Sequence, residues 1–89
     1  MRFVRKHIKP EVINAVQLTR ETLDTARDLM GARGLINDVG PSKPLWAIVF
    51  GPLAEGDMRA VEGDWIVRRE DGSISVCTPG SFRILYEAE

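Results

Sequence analysis

The chain has 89 residues, of which 44% are hydrophobic and 28% charged, the length and composition of a single folded domain and not of a disordered segment. Its net charge is −1, so no global basic field draws it to nucleic acid. Cys77 is the only cysteine, which excludes an internal disulfide, and no apolar run approaches the roughly 20 residues of a membrane span.

The opening residues Met1-Arg2-Phe3-Val4-Arg5-Lys6 carry charge where a signal peptide needs an apolar segment, so a cytoplasmic location is expected. Charge is uneven along the chain. Residues 1–50 hold eight Lys/Arg and five Asp/Glu, whereas residues 51–89 hold four and eight. Residues 1–9 form a basic leader with Arg2, Arg5, Lys6 and Lys9 around His7. These cations are the candidates for contact with nucleic acid. Without interleaved aromatics they read instead as a solvated leader before the first strand.

Residues 11–18 alternate. Val12, Asn14, Val16 and Leu18 share one face, and Ile13, Ala15 and Gln17 the other, as in an internal strand. A helix is expected over 19–31. Thr19 caps its start, Glu21 complements the dipole, and Leu23, Ala26, Leu29 and Met30 make the apolar stripe. Gly31 or Gly34 ends it. Residues 34–44 read as a mobile loop, with a short strand at Leu35-Ile36 as the one exception. Residues 45–50 are apolar throughout and read as a central strand covered on both faces. One cover is the helix; the other is a curled sheet or a partner chain.

Residues 54–77 contain three short strands and three glycine turns. Glu-Gly-Asp occurs at 55–57 and 62–64, each time before a large apolar residue, Met58 or Trp65. Asp71-Gly72 separates two alternating runs and predicts a hairpin. Thr78-Pro79 caps a single helical turn, with proline at the first helical position. Residues 83–87 then read as a closing strand with Ile84 and Tyr86 on one face.

No constellation of catalytic residues emerges. Asp57, Asp64 and Asp71 each sit beside glycine, where aspartate bonds to the turn backbone. Cys77 and His7 lie far apart in sequence with no marked third group. No phosphate loop, cofactor motif or metal-ligand spacing is present. The expectation is a non-enzymatic protein with no cofactor and no metal.

Several motifs in order suggest a family. They are Ala15-Val16-Gln17, Gly56-Asp57-Met58, Gly63-Asp64-Trp65-Ile66-Val67, Gly72, and then Cys77, Pro79, Phe82 and Tyr86-Glu87. This arrangement resembles the small proteins of tailed phages and prophages sometimes grouped as PGDYG proteins. The resemblance spans most of the chain except residues 31–50. Glu62 stands where that group usually has proline, and Arg69-Glu70-Asp71-Gly72 replaces its usual hairpin. Both departures fall at turns. The group supplies no activity to transfer. The resemblance implies a phage-derived accessory protein in the host cytoplasm.

The expected fold is α+β, with one helix packed on a curled, mainly antiparallel sheet of about five or six short strands. The expected core is Ile13, Val16, Leu23, Leu29, Ile48, Phe50, Trp65, Val67, Ile74, Val76, Phe82 and Tyr86. The expected function is a protein-binding module acting on a host or phage protein, with a surface drawn from Asn37, Asp38, Lys43, Trp46, Arg68 and Arg69. A homodimer is a second way to cover the 45–50 strand. The alternatives are a nucleic-acid-associated accessory protein using the basic leader, and a small ligand binder or enzyme using Cys77 or the turn carboxylates.

Overall fold

The structure, a computed structural model, describes residues 2–5, 12–38, 40, 43–51 and 56–88, with residues 2, 4, 5, 87 and 88 described through their backbone alone. The fold is α+β, as expected. Its strands divide between two antiparallel sheets, where the sequence reading expects one curled sheet. The larger sheet has five strands, and its order is β7 (Ile74–Cys77), β6 (Trp65–Arg68), β2 (Val12–Gln17), β1 (Arg2–Arg5) and β8 (Tyr86–Ala88). The smaller has three, β3 (Gly34–Asn37), β4 (Trp46–Val49) and β5 (Met58–Val61), with β4 in the middle.

The corner at residues 62–64 creates this division. It passes the chain from β5 in one sheet to β6 in the other. Gly63 takes φ of 99° there, a backbone angle that side chains rarely adopt. The Leu18 N–H donates to the Asp64 carbonyl and the Gly63 N–H to the Leu18 carbonyl, both at 2.8 Å. The Glu62 N–H donates to the Leu45 carbonyl at 3.2 Å. One turn thereby ties the end of β2 and the start of β4 to the β5–β6 corner.

The Asp-Gly hairpin forms as predicted, pairing Ile66 with Val76 and Val67 with Ser75. Its loop is Glu70-Asp71-Gly72, closed by the Gly72 N–H on the Arg69 carbonyl at 3.0 Å, with Gly72 at φ of 87°. Asp71 stays below the usual carboxylate range because the Ser73 hydroxyl and then the Ser73 amide donate to it, at 2.7 and 2.9 Å. Such a group supports the fold above its unfolded pKa. That support is lost as pH falls through the folded value.

β2 is the middle strand of five and buries both faces, as its pattern requires. Ile13 and Ala15 join Phe3, Val67, Phe82 and Tyr86 in one cluster. Val16 joins Leu18, Ala26, Met30, Ile66 and Ile74 in the other, which lies between the two sheets. Phe3 is 7% exposed. The leader is therefore a paired strand over Arg2–Arg5, not a solvated run. Its period was obscured by arginines on either side of two apolar residues.

The helix begins with a short 3-10 turn, Arg20–Thr22, and continues as α1, Leu23–Met30. Thr19 is the N-cap of this turn, as expected, and Thr22 answers it in a capping box with a second anchoring hydroxyl. The Thr22 Oγ1 accepts from the Thr19 N–H at 2.9 Å and donates to the Gln17 carbonyl at 2.6 Å. A second 3-10 turn, Gly31–Arg33, leads into β3. α1 packs against β2 and β6 of one sheet and β3 of the other.

The second helix, α2, spans Pro79–Leu85 and is longer than one turn. The Thr78 Oγ1 accepts from the Ser81 N–H at 3.3 Å, the expected cap. α2 consumes residues that the sequence reading assigns to the closing strand. Ile84 consequently lies on a helix and is 67% exposed, away from Tyr86.

Candidate functional site

The site is the outer face of the smaller sheet, and it arises from an inversion of size in β4. Ala47 and Val49 point into the core at 0% exposure, and Ala60 lies opposite Ala47 on β5. Small side chains here leave room for Ala26 and Met30 of α1 in the same cluster. Alternation then sends Trp46 and Ile48 outward, with Phe50 next in the same row.

The register gathers their neighbours. Leu35 of β3 lies opposite Ile48, and Asn37 lies opposite Trp46. Val61 of β5 lies opposite Trp46, and Arg59 lies opposite Ile48. Leu35 is 63% exposed, Val61 49% and Phe50 44%. The Arg59 guanidinium carbon stands 4.9 Å from the centre of the Trp46 ring, a cation–π contact worth about 0.5–1 kcal/mol at an exposed site. An open groove of about 380 Å³ runs along Leu35, Ile36, Asn37, Trp46 and Ile48.

This arrangement corrects two expectations. Phe50 is not core, and the central strand is covered on one face only among the described residues. A wholly apolar run of four to six residues does not disclose which parity turns inward. The core between α1 and the two sheets settles it, by taking the smaller side chains.

The predicted surface residues fall in three places. Asn37 and Trp46 are cross-strand neighbours on the outer face. Asp38 and Lys43 are joined by Arg20, which donates to the Asp38 carboxylate at 2.8 Å and to the Lys43 carbonyl at 2.7 Å. Arg68 and Arg69 lie on the other sheet, at the β6–β7 hairpin, with Val12, Asn14 and Glu70. Residues 34–37 are a strand, the short one expected at Leu35-Ile36 extended by one residue at either end. Arg2 and Arg5 lie in β1, and their side chains are outside the described residues, as are Lys6, Lys9 and His7. Leu35, Ile48, Arg59 and Val61 were not in the predicted surface. Their one sequence signal was alternation, readable only with the strand partners known.

Among the described residues, no three His, Cys, Asp or Glu side chains gather where a metal ion would sit, and no helix is long and apolar enough to cross a membrane. Burial pushes the Cys77 thiol up from its ordinary value, and the Asp64 carboxylate adds to the effect. A nucleophilic thiol needs the opposite shift. Thiol labelling at neutral pH is expected to run slower on the folded chain than on the urea-unfolded chain, and to accelerate as pH rises. Equal rates in the two states would show that the fold does not shield the sulfur.

Compared with protein-family models, with curated proteins and with solved structures, the chain matches none.

Proposed function

We propose that this chain is a phage-encoded, non-catalytic protein-binding module that engages a host or phage protein through the outer face of β3, β4 and β5, in the host cytoplasm. One observation carries the reading: Leu35 pairs across the strands with Ile48 and Val61 with Trp46, so the four lie together on one outward sheet face that no described residue covers. Isolated surface hydrophobes need no explanation, whereas a contiguous patch marks an interaction site. Trp46 and Arg59 add the residue types enriched at protein interfaces. The raised thiol of Cys77 supports a role without nucleophilic chemistry. The phage setting rests on the resemblance of motif order alone.

The test compares the tagged chain with its Leu35→Ser/Val61→Ser variant in capture from bacterial lysate at low and high salt. A stoichiometric protein partner that survives high salt and is lost in the variant is the expected result. Each exposed substitution should leave stability within about 0.5 kcal/mol, so the variant remains folded. Recovery of nucleic acid alone, at low salt alone, would overturn the proposal in favour of phosphate contact by the basic residues.

A further inference from the structure

β3 is the edge strand of its sheet, and its hydrogen-bonding pattern identifies which groups face outward. The Phe50 N–H donates to the Arg33 carbonyl at 2.8 Å. These residues continue the β3–β4 register, in which Gly34 lies opposite Val49. Antiparallel ladders alternate bonded and non-bonded pairs. Leu35 with Ile48 and Asn37 with Trp46 therefore repeat the bonded pairing. The N–H and C=O groups of Gly34 and Ile36 turn away from β4, and no described residue bonds them on that side. The far edge of the sheet differs, because β5 lies beside β7.

Edge strands normally carry a charge, a proline or a bulge that discourages further pairing. β3 reads Gly-Leu-Ile-Asn and has neither charge nor proline. Its Leu35 is also the most exposed large hydrophobic residue in any described strand, at 63%.

The charges select the occupant. Arg33 precedes β3 and is exposed, and no described carboxylate lies within ion-pairing distance of it or of Arg59. On a chain of net charge −1, this sheet presents apolar surface flanked by cations. A second copy pairing about Leu35 would set Arg33 opposite Asn37 of its mate, leaving the guanidinium without a carboxylate. An extended segment of another protein can supply one.

We propose that the open edge of β3 binds an extended peptide segment of a partner protein, paired antiparallel to Gly34–Asn37, with an apolar side chain opposite Leu35 and a carboxylate opposite Arg33. This rests on the protein-binding reading above and specifies its partner. Main-chain bonds supply affinity in such strand addition, and alternate side chains supply specificity. The antiparallel direction fixes the order. Read from the N-terminus, the partner carries an apolar residue, any residue, and then Asp or Glu.

The test is a titration of the full chain, followed by amide NMR, with the blocked heptapeptide TVTLTET at up to millimolar concentration. The expected result is movement of the Gly34 and Ile36 amides together with their protection from hydrogen exchange. The peptide TVTLTKT should bind at least about tenfold more weakly, and Arg33→Glu should reverse that preference. N-methylation of the bonding amides of TVTLTET should abolish binding. Shifts confined to Trp46, Arg59 and Val61 would overturn edge pairing while sparing the binding face. No shift at all, or no difference between the two peptides, would overturn the proposal. Protection of Gly34 and Ile36 that rises with protein concentration in the absence of peptide would overturn it in favour of a second copy. Loss of lysate capture in Val61→Ser alone, which leaves β3 unchanged, reports on the face separately from the edge.

Discussion

Phe82→Ala is expected to destabilise the protein by about 3–5 kcal/mol, lowering the melting temperature by about 12 °C or more in a domain of this size. Phe82 is the one buried residue of α2. Its ring stacks on Trp65 with centroids 4.0 Å apart and planes 3° from parallel. It meets Phe3 edge-on at 4.8 Å and Tyr86 at 5.0 Å. Each such pair contributes about 0.5–1.5 kcal/mol beyond its buried area. A seven-residue helix is too short to persist without a docked face. Truncating the ring therefore removes the anchor of α2 and loosens the chain that continues into β8 on the edge of the larger sheet. Ile84→Ala is the control. It lies on the same helix at 67% exposure and should change stability by about 0.5 kcal/mol or less. Equal melting of the two variants would mean that α2 does not dock through Phe82.

Local chemistry was readable where a signal depends on residues close in sequence. Asp71-Gly72 needed one positive φ, and glycine at that place is sufficient to announce the hairpin. Pro79 after Thr78 announced a helix start in the same way. β2 was readable because both of its parities are apolar. What escaped was information held by contacts distant in sequence. Glu62-Gly63-Asp64 reads as a turn, but nothing in those three residues says that the next strand leaves for another sheet. That outcome depends on the backbone of Leu18 and Leu45, which close the corner with three hydrogen bonds.

The candidate site shows the same limit more sharply. Trp46 and Asn37 were expected at the surface, and they are neighbours there. Phe50 and Ile48 were expected inside because large apolar side chains usually are. The core reversed this, since Ala47, Val49 and Ala60 share one buried cluster with Ala26 and Met30 of α1 and with Ile66 and Ile74 of the other sheet. Helix length and stripe were legible in the sequence, but its distance from the sheet was not. Arg68 and Arg69 were grouped with Trp46 by charge and exposure, without any register to connect them, and the fold assigns them to a different sheet.

That inversion makes Ile66 and Ile48 an informative pair. Ile66→Ala is expected to cost about 2–5 kcal/mol, because Ile66 is 0% exposed and sits in the core between the sheets. Its cross-strand neighbours Val16 and Val76 flank it on β2 and β7, so no solvent path relieves the cavity. Ile48→Ala removes the same atoms from a strand of the same length, but from the uncovered face. It should cost about 1 kcal/mol or less, since only part of its surface was withdrawn from water. Urea denaturation of both variants, at equal slope, measures the difference directly. If Ile48→Ala matched Ile66→Ala, the outer face would be covered in solution, and the surface assigned to a partner would be interior. If the gap appears, Ile48 is held outward at little benefit to stability, and binding remains the role for which its exposure is suited.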